Sequence, residues 1–168
     1  MSTSSSFDLG AVDRITVGTV GEPGRRVFYL QAVAGTQVVS LKLEKQQVAA
    51  LVTYLVTLLS DLPSPGTVPT DLDLVEPVIP EWVVGALGVS YDEATDRILV
   101  QAEELLEEEG DDGAMARFLA TREQVAGLAA KGADVVAAGR PPCPLCGQPL
   151  DPEGHVCVRL NGHRSQSR

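Results

Sequence analysis

The chain has little of what acid–base and nucleophilic enzymes use. It carries two histidines and three cysteines in 168 residues, and all five fall between Cys143 and His163. No Ser-His-Asp or Cys-His arrangement can therefore form within residues 1 to 142. The zinc nucleobase deaminases share the Pro-Cys-x-x-Cys element but need an upstream His-x-Glu, and no histidine precedes His155. Gly-rich phosphate loops of the P-loop and dinucleotide types are absent. Aromatic residues make up 4% of the chain, and no apolar run approaches the roughly 18 residues of a membrane span. The start, Met1-Ser-Thr-Ser-Ser-Ser-Phe7, lacks the charged and apolar regions of a secretory signal, which predicts a soluble, cytoplasmic protein.

Positive charge is scarce and unevenly placed. Residues 1 to 139 carry 9 Lys/Arg against 21 Asp/Glu, or −12, and residues 140 to 168 carry 4 Arg against 2 acids, or +2, which sums to the net −10. Such a body repels phosphate backbones and acidic headgroups, so membrane association and nucleic-acid binding through it are disfavoured. Only the arginine-bearing tail could meet an anion, which leaves nucleic-acid binding there as a weaker alternative.

What is present is a pattern that changes period. Residues 14–20, 26–34 and 37–43 alternate and are β-branched, with Gly21-Glu-Pro-Gly24 and Gly35-Thr36 as turns, and they predict an antiparallel meander. Val48, Leu51, Val52, Leu55, Leu59 and Leu62 then fall at helical spacing, which predicts a helix over about 45–61. Pro63, Pro65, Pro69, Pro77 and Pro80 make 62–80 an extended connector. Strands over 83–91, 97–105 and 114–120 and a helix over 122–138 follow in the same order.

The residues also match. Leu30-Gln31-Ala32 corresponds to Val100-Gln101-Ala102 at an offset of 70, and 41–51 corresponds to 118–128 at an offset of 77. Glu44 with Gln47, and Thr121 with Gln124, stand as N-cap and N3 of the two helices. The expected architecture is α+β: two βββα repeats related by a pseudo-twofold, then a small zinc-knuckle tail. Its boundaries are a disordered tail over 1–8, repeats over 9–62 and 81–139 flanking a connector over 63–80, a zinc-binding tail over 140–163, and a disordered end over 164–168.

The tail carries the definite chemistry. Cys143-Pro-Leu-Cys146-Gly147 has the form of a zinc knuckle, with two thiolates on a tight turn and a glycine that allows close backbone approach. Asp151-Pro-Glu-Gly154 reverses the chain and returns His155-Val-Cys157. Cys143, Cys146 and Cys157 with His155 make a closed Cys3His set for one structural Zn2+, and His163 is the alternative fourth ligand. A redox pair would need a helix after Cys146, which Gly-Gln-Pro-Leu-Asp-Pro opposes. The acidic run of Glu103, Glu104, Glu107, Glu108, Glu109, Asp111 and Asp112 could supply acid–base groups, but such runs are usually solvated loops. Trp82 and Tyr91 read as core or interface residues, and Arg25, Arg26 and Lys45 as surface charges.

Through Gly139-Arg-Pro-Pro-Cys-Pro-Leu-Cys-Gly and Asp151-Pro-Glu-Gly-His-Val-Cys, the chain resembles an uncharacterised actinobacterial domain-of-unknown-function family of about this length. In that pattern a proline follows the last cysteine, where this chain has Val158, and the final histidine is not fixed, which weakens His163. The resemblance implies a shared pathway with a lipid-kinase-like and a histidine-phosphatase-like protein, and implies no catalytic residues. The leading expectation is a non-enzymatic accessory or adaptor protein whose zinc tail orders a docking surface for a protein partner. The alternative is an enzyme or small-molecule sensor with a carboxylate-lined groove between the repeats.

Overall fold

The structure is a computed structural model that describes residues 4–22, 24–108, 110, 112–138 and 145. Strands β1 (Phe7–Ala11), β2 (Arg14–Val20), β3 (Val27–Ala34) and β4 (Gln37–Leu43) lead into helix α1 (Lys45–Ser60). Strands β5 (Pro80–Asp92), β6 (Arg97–Glu104) and β7 (Met115–Ala120) lead into α2 (Arg122–Ala138). The architecture is α+β, with one mixed sheet of seven strands in the order β1-β7-β6-β5-β4-β3-β2. Pairing is antiparallel within β2-β3-β4 and within β5-β6-β7, and parallel at the β4–β5 and β1–β7 junctions.

That order closes on itself. The outermost strands β1 and β2 are separated in sequence only by Val12 and Asp13. Ala11 and Arg14 can be at most about 11 Å apart, whereas the edges of a flat seven-stranded sheet would lie roughly 29 Å apart. The sheet is therefore rolled until its edges meet along one continuous stretch of chain. At the corner, Val12 N–H donates to Leu119 O at 2.9 Å and Asp13 N–H donates to Val33 O at 2.8 Å, so the ladders on both sides run through it.

Two differences from the sequence reading follow from this closure. Phe7 and Asp8, expected within a disordered tail, belong to β1, because closure gives them β7 as a partner. Strand β5 is longer than the 83–91 expected. Its start pairs with β4 and the remainder with β6, with a register shift between Val84 and Ala86. Gly85 marks that shift: a Cβ there would lie 2.8 Å from Leu105 Cα.

Alternation decides the inner face. Ile15, Val17, Leu30, Ala32, Val39, Leu41, Ile98, Val100, Ala116 and Phe118 are buried together with Val48, Leu51 and Leu55 of α1 and Val125 and Leu128 of α2. Gly132 permits the close helix crossing, since a Cβ on it would meet Val52 Cγ2 at 2.5 Å and Val17 Cγ2 at 3.6 Å. Both helices start with the predicted N3 glutamine bond: Glu44 N–H donates to Gln47 Oε1 at 2.8 Å, and Thr121 N–H donates to Gln124 Oε1 at 2.9 Å.

The connector crosses the outer face of β2 and β3. Thr16 Oγ1 donates to Leu72 O, and Arg14 Nη2 donates to the carbonyls of Asp71 and Asp73. These bonds, with those of the Gln31 amide to Val75 N–H and O, explain how Thr16, Gln31 and Ser40 come to be buried on a face otherwise turned to solvent.

Candidate functional site

Cys143, Cys146, His155, Cys157 and His163 lie outside the described residues. Three thiolates and one or two imidazoles are a donor set suited to tetrahedral zinc. Among the described residues, no group of three His, Cys, Asp or Glu could hold a metal ion. The stretch follows directly on α2, whose last turn includes buried Val135.

At that end of α2 lies an open cavity of about 470 Å³, bounded by β2, the connector and the helix. Val20, Leu74 and Val135 give it an apolar side, and Asp73, Glu76 and Lys131 a charged one. Lys131 Nζ lies 3.4 Å from Asp73 Oδ1. No sequence signal pointed here, because the connector has no periodicity and only its path over β2 brings these residues together.

The described part of the acidic run forms a bend after β6. Glu104 Oε1 accepts from Ala114 N–H at 3.0 Å and Oε2 accepts from Ser4 Oγ at 2.6 Å, so this carboxylate closes the bend and fastens the start of the chain. Glu103, Glu107, Glu108 and Asp112 are exposed, and none of them lines the cavity. Glu109 and Asp111 lie outside the described residues. Trp82 is buried, with Nε1 donating to Ser5 O at 2.8 Å, and so acts in packing.

A second charged cluster ties the connector to the β5–β6 turn. Tyr91 Oη donates to Asp96 Oδ1 at 2.7 Å, and Arg122 Nη2 lies 3.3 Å from Asp96 Oδ2. These bonds, first from Tyr91 and then from Arg122, hold the Asp96 carboxyl below its ordinary value. The same bond to a carboxylate raises the Tyr91 phenol. Glu123 is lowered chiefly by the Gly66 N–H, which donates to Oε2 at 2.7 Å. Arg122 Nη1 also donates to Pro63 O and Ser64 O. All these groups are engaged in holding backbone and turns, which is a structural use of charge.

Fold and surroundings define an α+β protein built on one closed mixed sheet, with its metal-type donors beyond the second helix. The chain belongs to the family described as Protein of unknown function (DUF3090), whose family model matches residues 7–157. No curated protein and no solved structure matches the chain. No described helix is long and apolar enough to cross a membrane.

Proposed function

We propose that the protein is a cytoplasmic, non-enzymatic accessory protein in which a closed structural zinc site, Cys143, Cys146, His155 and Cys157, orders a docking surface for a protein partner. One observation carries this reading: the family match spans the body and the tail as one unit and ends at Cys157, the last of the four donors. His163 lies beyond it, which favours His155 as the fourth ligand. The resemblance to a family associated with lipid-kinase-like and histidine-phosphatase-like proteins makes such a protein the proposed partner. Purified chain should hold one zinc per molecule. His155→Ala should lose it and His163→Ala should keep it; a zinc-free wild type would sink the reading.

The body is further read as a duplicated βββα unit. The cross-strand row Thr16–Gln31–Ser40 has a counterpart in Gly88–Gln101–Arg117, at offsets of 72, 70 and 77. The second and third offsets are those of the sequence match. Gln47 Nε2 donates to Val84 O and Gln124 Nε2 donates to Val12 O, each at 3.0 Å, and Val12 and Val84 are again 72 apart. Each unit's helix thus reaches across to the other unit, α1 to strand β5 and α2 to the corner before β2, which fits a pseudo-twofold.

A further inference from the structure

Helix α1 buries Val48, Leu51 and Leu55 in the core, and its Val52 packs where Gly132 of α2 makes room. The opposite face is open. Gln46, Thr53, Val56, Thr57 and Ser60 are exposed there, Val56 by 54%, with Tyr54 at the edge exposed by 49%. From Gln46 to Ser60 the helix has no charged residue, in a chain of net −10. Over a similar span α2 carries Glu123, Lys131 and Asp134. A solvated helix face ordinarily carries charge, and this one does not.

Its hydroxyls are already engaged. Thr53 Oγ1 donates to Ala49 O at 3.2 Å, and Ser60 Oγ donates to Thr57 O at 2.6 Å. Because these donors bond to carbonyls of their own helix, covering the face strands neither of them. The face can therefore be buried at little polar cost, and Val56 and Tyr54 give it apolar area to lose from water.

The charges at its two ends name the occupant. Lys45 is the first residue of α1 and Asp61 its C-cap, and both are exposed. A helix favours anions at its start and cations at its end, so each of these charges stands at the wrong end of its own helix. Each stands at the right end of a second α1 laid antiparallel across the first. About a two-fold axis at Thr53, the second copy's Asp61 comes level with Lys45. Its Val56 and Thr57 come level with Ala49 and Ala50, so larger side chains meet smaller ones. Such a face complements itself, as an isologous contact must. Net charge narrows the choice further, since copies of −10 repel wherever carboxylates come together and salt screens them only beyond about 8 Å. A contact centred on an uncharged stretch is one that acidic copies tolerate.

We propose that the open face of α1 is a contact between two copies of this chain, which cross antiparallel at Thr53 with Lys45 of each beside Asp61 of the other. A helix of 16 residues is about 24 Å long, so the contact is small and the dimer weak and concentration-dependent. Sedimentation velocity of the full chain in reducing buffer, over a concentration series, should show monomer giving way to dimer. Val56→Glu, at an exposed position, should keep the parent's far-UV dichroism and stay monomeric throughout. Lys45→Glu and Asp61→Lys should each weaken the dimer several-fold alone. An equimolar mixture of those two variants should regain the parent's association, because each chain then presents the charge that the other needs. A parent that stays monomeric, or that associates only with an added protein, overturns the proposal. So does a dimer that Val56→Glu leaves intact, that neither charge reversal weakens, or that the mixture fails to restore.

Discussion

Gln124→Glu is the most direct probe of how the closed sheet is held. The glutamate keeps an acceptor for Thr121 N–H, so the helix start survives, but it removes the donor to Val12 O and sets a carboxylate oxygen near that carbonyl. Val12 is 7% exposed, and its N–H is already engaged by Leu119 O, so the carbonyl has little access to water. Orphaning a buried acceptor costs about 1–3 kcal/mol, offset by roughly 0.3–1 kcal/mol for a negative charge in a helix's first turn. The net loss is on the order of 1–2 kcal/mol, a sizeable part of a domain's stability. At about 2–4 °C per kcal/mol for a chain of this size, Tm should fall by roughly 2–8 °C. Gln124→Ala loses the box as well and should cost about 1 kcal/mol more. Gln47→Glu, which breaks the bond to Val84 O, should cost more than Gln124→Glu, since its new carboxylate stands beside the Glu44 carboxylate at the N-cap, whereas the N-cap of α2 is Thr121. The assay is urea unfolding followed by both tryptophan fluorescence and far-UV dichroism, to check that the transition is two-state. A Gln124→Glu protein as stable as the parent would refute the claim that this bond ties the helix to the sheet corner. A Gln47→Glu protein as stable as the parent would refute the corresponding role of Gln47.

Other substitutions read other parts of the structure. Gly127→Ala should destabilise although alanine favours helix by about 1 kcal/mol, because its Cβ would lie 2.9 Å from Pro69 O, and overpacking against backbone costs about 1–3 kcal/mol; thermal melting decides the sign. The lowered carboxyls of Asp96 and Glu123 contribute stability that is present above the ordinary carboxylate range and lost as pH falls through their folded values. The raised Tyr91 phenol contributes stability that is present below its ordinary value and lost as pH rises through the folded one. Urea midpoints against pH should accordingly be flatter on both limbs in Asp96→Asn than in the parent, and identical profiles would dismiss the cluster. Gly18→Val should lift Leu74, whose Cγ would lie 2.6 Å from the new Cβ, and raise the rate of proteolysis within residues 71–76, whereas the parent connector should resist.

Much of the fold was legible, because its information is local. Arg14–Val20, Gln37–Leu43 and both helices follow from period and composition, and the N3 glutamines announced both helix starts. What was not legible was non-local. The five residues of β1 are too few for alternation, and Gly10 at φ 62° interrupts them, so only closure against β7 makes them a strand. Gln31 and Thr16 read as ordinary polar positions of half-exposed strands. Their burial depends on a connector 56 residues from Thr16 and 44 from Gln31, and no local signal encodes that path. Glu104 drew notice as a possible acid–base group through its neighbours' charge, yet its two oxygens serve Ala114 and Ser4. The donors of the tail were legible by residue type and spacing alone.

The topology also says why the connector between the two halves is long. A parallel pair needs a long crossover between its strands. At the β4–β5 junction that crossover is α1 with the connector, which must return to the sheet at Pro80. At the β1–β7 junction the connection is the whole of β2 to β6 with α1, and the sheet closes at the corner Val12–Asp13. All three cysteines and both histidines lie in the stretch after α2 rather than in the connector.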